Sequence, residues 1–286
     1  MNKISYSQLS MFSECPKRWK LNYIDKLRVF ESNIYLVFGT AMHEVLQTYL
    51  EVLYNDSAKN ADLLDLNEML RDKLVEQFKI AEESDGKPPC TKEDLQEFFQ
   101  DGVDIIDFVK KKRNDYFGKR GFKLIGCEVP IEVMLKKDIK MVGYLDVVIL
   151  DEIHNTIKII DIKTSTMGWN KWQKRDENKT QQLLLYKQFY AKQYNHPVDK
   201  IEVEYFIVKR KLWEKAMFPQ KRVQKFVPAS GKPSMNKVTN RLNLFLENAF
   251  DDGGKHNTDK IFALPSKKAC KWCEFNQTEY CTDGIK

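Results

Sequence analysis

No stretch of about 18 consecutive apolar residues occurs in the 286-residue chain, so the sequence offers no membrane-spanning helix. The opening residues, MNKISYSQLSMF, lack the apolar core of a secretory signal. Internal repeats and low-complexity tracts are missing too, which excludes solenoid and fibrous architectures. Cysteine is scarce at six residues, and without a signal these read as reduced thiols or metal ligands rather than a disulfide scaffold. A cytoplasmic protein is expected.

What remains is ordinary globular composition, 42% hydrophobic and 12% aromatic, with a charged fraction of 31%. The net charge of +6 is matched by one run, Lys209 to Lys225, which carries seven basic residues against one acid. Such a run suits a polyanion-facing patch and equally a solvated lysine-rich face.

The most informative stretch is Val142 to Thr164, VGYLDVVILDEIHNTIKIIDIKT. It reads as two apolar strands joined by a polar turn at Asp151–Asn155, with Asp146 in the first strand and Asp161 in the second. An unpaired carboxylate in an apolar strand is costly, so buried charges are normally paired or bound to a cation. Side chains alternate along a strand, which places Asp161 and Lys163 on one face. Two carboxylates converging on one point suit Mg2+ or Mn2+, and a lysine beside them can position water or stabilise charge on a phosphate. Asp161-x-Lys163 alone more often describes an ion pair on a half-exposed strand.

Along the chain, Ser7 to Tyr23 predicts two short helices, capped by Ser7 and parted by Pro16 with Cys15 at the junction. Gly39 and Thr40 open an amphipathic helix with His43 in its first turn, where the helix dipole favours a neutral ring. Helical spacing over 65–81 and 92–117, the latter behind a Thr91-x-x-Asp94 capping pattern, predicts a helical insertion at about 55–118. Strands follow at 128–135, 141–150 and 156–164. Next come a basic loop with Trp169, Trp172, Lys174 and Arg175, a helix over 178–194, strands at 201–208 and 223–227, and a helix over 234–250. The basic loop could stack a base and hold phosphates. Cys270-x2-Cys273-x7-Cys281 closes the chain with thiols spaced for zinc or an iron-sulfur cluster, whereas Cys90 lies in a loop and Cys127 in an apolar strand.

Gly143-Tyr-Leu-Asp146 followed by Ile160-Asp161-Ile162-Lys163-Thr164 resembles the core motif of the PD-(D/E)XK nuclease superfamily. Gly39-x-x-x-His43, Gln182-x-x-x-Tyr186 and Ser7-x-Leu9-x-x-Phe12-x-x-Cys15-Pro16 resemble the flanking motifs of its RecB-like branch, which includes AddB-type and CRISPR-adaptation nucleases. The resemblance implies an α/β restriction-endonuclease-like core, a mixed central sheet flanked by helices, spanning 31–230. N-terminal helices would occupy 1–30, and a C-terminal helix with a cysteine cluster 231–286.

It further implies a metal-dependent DNA nuclease, expected to be an exonuclease in recombination, repair or replication. The alternative is a DNA-binding subunit of such an assembly without turnover of its own. His43, Asp146, Asp161 and the Ile162 carbonyl would hold Mg2+ or Mn2+, with Lys163, Gln182 and Tyr186 acting on substrate. Glu128 resembles a family acid on the preceding strand. Cys15 would join Cys270, Cys273 and Cys281 on a 4Fe-4S cluster, with Zn2+ as the alternative. DNA is the implied partner. Lacking a Walker-type phosphate loop, the chain would depend on a helicase or recombination protein for any unwinding.

Overall fold

Strand residues of alternating parity feed two different cores, one on each face of a central sheet. Val148, Ile157, Ile159, Val203, Tyr205 and Ile207 point into one core, while Val147, Ile149, Ile160, Ile162, Phe206 and Val208 point into the other. Sequence alternation is thus apolar on both faces, the signature of strands covered by helices on each side. These features come from a computed structural model, which describes residues 1–27 and 31–285. The expected boundary at residue 30 lies outside the described residues.

In chain order the elements are β1 (Asn2–Ile4), α1 (Tyr6–Glu14), α2 (Pro16–Tyr23), α3 (Ile34–Asn55), α4 (Ala58–Leu63), α5 (Leu66–Asp85) and α6 (Lys92–Tyr116). Then come β2 (Phe122–Lys136), β3 (Ile139–Asp151), β4 (Thr156–Ser165), α7 (Lys171–Arg175), α8 (Glu177–Thr180) and α9 (Gln182–Gln193). The chain ends with β5 (Ile201–Lys209), β6 (Val223–Phe226), α10 (Lys232–Ala249) and α11 (Lys267–Cys270). None of the described helices is long and apolar enough to cross a membrane.

The sheet is mixed and six-stranded, running β1-β3-β4-β5-β6 with β2 antiparallel on the other edge of β3. β4 and β5 are parallel, joined through α7–α9. One core lies beneath α1, α2, α9 and α10, where Trp19 is wholly buried against Phe12 and Phe245. The other lies beneath α3, α5 and α6. The helical insertion therefore shares its core with the sheet, and Leu70, Ile105 and Val109 pack in the same cluster as Ile160 and Phe206.

Local chemistry explains most boundaries. Pro16 lacks an N–H and holds the preceding Cys15 in extended geometry (φ −159°, ψ 110°), splitting α1 from α2 as expected. The Thr91/Asp94 capping box is formed at the start of α6. Three expectations need correcting. The cap of α1 is Ser5, whose Oγ accepts from Gln8 N–H, not Ser7. α3 begins at Ile34, capped by Asn33, so His43 lies in the helix interior and the dipole argument for it fails. The helix expected over 178–194 is two helices that meet at Gln181.

The basic run 209–225 also reads differently in three dimensions. Arg210 is buried against Asp101, Lys211 reaches Glu97 and Asp101, Arg222 pairs with Asp104, and Lys225 pairs with Glu204. Most of its charge fastens β5 and β6 to α6 and to Glu204 rather than facing a polyanion. Three of the acids that neutralise it, Glu97, Asp101 and Asp104, lie on α6 about a hundred residues upstream, and Glu204 lies on β5, all outside the run that a local charge count covers.

Candidate active site

Among the described residues β3 has three partners, and the gap they leave holds the candidate site. On the edge opposite β2, β1 pairs with Ile139–Met141 and β4 with Val147–Asp151. Among the described residues no strand pairs with Val142–Asp146 on that edge, and this segment holds Gly143-Tyr-Leu-Asp146. β4 leaves β3 after the Val147–Ile160 pair and continues along β5 alone. Asp146 closes the fork: its Oδ2 accepts the Ile162 N–H at 2.7 Å, a bond that a continuing strand would otherwise supply.

Asp161 stands one residue inside the fork and is 3% exposed. The Lys163 ammonium lies 2.7 Å from Asp161 Oδ2, on the shared strand face expected from the sequence. That oxygen is nonetheless shielded from solvent and has no aligned hydrogen-bond donor. A third of the Lys163 side chain faces the adjoining cleft.

The electrostatics follow from two acids and one base in a confined space. Burial, then the Asp161 charge, lifts Asp146 well above the ordinary carboxylate range, against the pull of Lys163 and the Ile162 N–H. Burial opposes the Lys163 ammonium, but Asp161 and Asp146 outweigh it and hold its pKa above the usual lysine value. His43, from α3, places Nδ1 3.5 Å from Asp146 Oδ2. Burial and the neighbouring Lys163 charge push its pKa down to about 4, so the ring is neutral, as expected, but for a different reason.

α9 supplies the opposite wall. Gln182 Nε2 donates to Tyr186 Oη at 3.3 Å, the i,i+4 pairing implied by their spacing. Burial lifts the Tyr186 phenol, with the Asp161 charge adding to it and the Gln182 bond opposing it. The phenol lies directly over Gly143: a Cβ there would fall 2.7 Å from Tyr186 Oη. Gly143→Ala is expected to displace Tyr186 and lower any turnover at the fork at least tenfold while shifting thermal stability only a few degrees. A steady-state assay beside a melting curve checks this, and unchanged turnover would show that Tyr186 contributes nothing there.

Sequence reasoning passed over Gln47. One turn after His43 on α3 and 7% exposed, it donates to Glu128 Oε1 at 2.6 Å and to the Asp146 carbonyl at 3.1 Å. The available signal was its i,i+4 spacing from His43. Glu128 adopts a left-handed backbone (φ 49°), uncommon for a non-glycine residue, and its charge reaches Asp146.

Beside the fork opens a cleft of about 470 Å³ that runs under α1 and is lined by Tyr6, Ser10, Arg18, Lys163, Lys179 and Gln182. Tyr6 Oη donates to the Glu177 and Asn178 carbonyls at 3.0 and 3.2 Å. Arg241 of α10 binds Asn178 and Gln181, fixing the entry to α9. Of the basic loop, Trp172 is 67% exposed beneath Lys171. Trp169 corrects the expectation of a stacking ring. It is 7% exposed and packs on Tyr205 and Phe226.

The N-terminal helices and the C-terminal cysteine segment meet at α2. Cys15 Sγ accepts the Leu264 N–H at 3.4 Å, and Cys270 and Cys281 are buried. Cys281 forms a small apolar cluster with Leu21 and Phe275, with Cys273 packed against it. Arg18 pairs with Glu274 at 2.7 Å across the same junction. Cys90 and Cys127 instead border the core under α3, α5 and α6. Among the described residues, no three His, Cys, Asp or Glu side chains are drawn together closely enough to form a ready metal cage, at the fork or at the cysteines.

Comparison with known proteins bears on the fold and the family. A family model described as the PD-(D/E)XK nuclease superfamily matches residues 3–279. A crystal structure of a provisionally assigned exonuclease from Eubacterium rectale superposes with a TM-score of 0.50 at 14% identity, covering 86% of this chain and 79% of that one. At that identity the likeness concerns the fold. No curated protein matches the sequence.

Proposed function

Because this chain belongs to the PD-(D/E)XK nuclease superfamily, we propose that it is a metal-dependent deoxyribonuclease that hydrolyses phosphodiester bonds at the fork between β3 and β4. The observation carrying this reading is the convergence of Asp146 and Asp161 on a gap in the sheet, with the Lys163 ammonium 2.7 Å from Asp161. The residues fit a hard cation. Asp161 Oδ2 is buried without an aligned donor, and burial, with the Asp161 charge adding to it, lifts Asp146.

Asp146, Asp161, the Ile162 carbonyl and neutral His43 would hold Mg2+ or Mn2+, which when bound supplies Lewis acidity to polarise a phosphodiester. Lys163 positions a water for attack on phosphorus and offsets the negative charge that grows on the phosphoryl oxygens. As the new P–O bond forms, the bond to the departing sugar oxygen breaks. Tyr186 and Gln182 orient the substrate across the fork, and Gln47 keeps Glu128 and the Asp146 backbone in place. The cleft under α1 receives the strand that leads to the fork, as an exonuclease acting in recombination, repair or replication requires. A helicase or recombination protein would deliver that strand.

A digestion time course on end-labelled DNA, blocked and unblocked at each end, tests the reading. Mononucleotides or short products from unblocked ends are expected. A second reading, binding without turnover, draws on the absence of a ready three-residue metal cage among the described residues. It predicts retention of DNA with no cleavage in Mg2+ or Mn2+.

Cys15, Cys270, Cys273 and Cys281 would hold a 4Fe-4S cluster, with Zn2+ as the alternative occupant. A small apolar cluster and the Arg18–Glu274 pair hold the C-terminal segment at the α2 junction. A cluster ligated from both ends of the chain would restrain it by a few kcal/mol in loop entropy plus the ligand bonds, on the order expected for long closures. Iron analysis with a visible spectrum is expected to show brown protein carrying iron in cluster stoichiometry. Colourless protein with stoichiometric zinc would transfer the site to zinc, and neither metal would remove it.

A further inference from the structure

α9 shows a different face to each side of the protein. Tyr186 turns to the fork, while Lys187 and Ala191, one helical turn apart, turn away from it into a cavity of about 580 Å³ between α9, α10 and the 198–200 turn. Lys187 is 9% exposed, and among the described residues its ammonium has neither a hydrogen-bond nor an ion-pair partner within reach. Asp199 and Glu202 act on it only at longer range, and burial lowers its pKa below the usual lysine value. Nothing at the fork uses this residue.

The cavity also receives the start of α10. That 18-residue helix is capped by Gly231, which offers no side-chain acceptor, and Pro233 follows at its first turn. The N–H groups of Lys232 and Ser234 consequently lack an intrahelical acceptor, at the positive end of the helix dipole. Lys187, Lys192 and Lys232 line the cavity against one acid, Asp199. Ala191, Val198 and Met235 form its apolar wall. An unpaired ammonium on a largely buried stem, reaching into a cavity beside an open helix N-terminus, is a setting for a compact anion of more than one negative charge. The volume and the apolar wall leave room for an organic body attached to that anion, since small-molecule sites occupy roughly 300–1,000 Å³.

We propose that the cavity behind α9 is a phosphate-binding site, in which Lys187, Lys232 and the N-terminus of α10 hold the phosphate of a nucleotide or of a nucleic-acid backbone. The site is separate from the fork and does not depend on the nuclease reading. Occupied, it ties α9 to α10 directly behind Tyr186. Gln188 already links the two helices there, donating to Thr239 Oγ1 at 3.0 Å and to the Met235 carbonyl at 3.4 Å.

Calorimetric titration with a deoxynucleoside 5′-monophosphate, inorganic phosphate and a short single-stranded oligonucleotide lacking terminal phosphates tests this. The expected result is binding of at least one probe that Lys187→Met weakens tenfold or more. Binding of the monophosphate assigns a free nucleotide, and binding of the oligonucleotide alone assigns the backbone. Because the Lys187 ammonium has no partner to lose and its stem is largely buried, the melting temperature of Lys187→Met should equal or exceed that of the parent. Should Lys187→Met fail to fold, the exposed substitution Lys232→Glu is expected to weaken binding by the same factor. No binding by any of the three probes, or binding indifferent to both substitutions, overturns the proposal.

Discussion

Lys163→Ala is expected to lower Mn2+-dependent DNA cleavage by roughly 10²–10³-fold, the loss of about 3–4 kcal/mol of transition-state stabilisation typical of one preorganised charge. Asp161→Asn should cost at least as much, because it takes a charged oxygen from the fork while keeping the side-chain shape. A melting curve beside each assay separates chemistry from folding. Asp161→Asn relieves the repulsion that adds to burial in lifting Asp146, but it also strands the Lys163 ammonium, whose partner is 2.7 Å away, so a loss of stability is expected. Lys163→Ala removes the cation that tempers that repulsion, and a small loss of stability is expected with it. Parent-level cleavage by either variant would remove the fork from the mechanism.

The largest effect on stability is expected far from the fork, at Asp101→Ala. Asp101 and Arg210 are both nearly inaccessible and directly paired, with Lys211 on the second Asp101 oxygen at 2.8 Å and the guanidinium 3.6 Å over the Phe98 ring. Truncating the acid strands a guanidinium whose Nε already lacks a partner. Breaking a buried pair in this way costs about 3–5 kcal/mol, whereas replacing both partners by apolar residues of similar volume is often neutral. The double variant Asp101→Leu/Arg210→Met should thus recover most of the loss. Chemical denaturation of the parent, the single and the double variants measures it. A single variant within 1 kcal/mol of the parent would show that the pair does not fasten α6 to β5.

How much of this was legible in the sequence depended on the range of the interaction. Pro16, the Thr91/Asp94 box and the strand alternation around Asp161 act within a few residues, and the elements they define are where the sequence reading put them. The fork was not legible. Its acids were visible as misplaced charges, but the gap that gives them a purpose arises because β1, a three-residue strand at the chain start, ends at Met141 while β4 begins only at Val147. The neutral state of His43 was anticipated from a helix start expected at Gly39, whereas the helix begins about five residues earlier, at Ile34, with Asn33 as its cap. Burial and Lys163, which set that state, depend on tertiary packing. The basic run 209–225 misled for the same reason, since its acidic partners lie on α6 and β5.

The most direct measurement of the fork is a Mn2+ titration followed by electron paramagnetic resonance on the intact protein, the Asp146→Asn variant and the Asp161→Asn variant, with cleavage of labelled DNA read in the same samples. A Mn2+ site present in the parent, lost in both variants and lost together with cleavage is the predicted result. Mn2+ bound equally by all three proteins, or cleavage persisting where the bound Mn2+ is gone, would contradict a divalent-cation centre at the fork of β3 and β4.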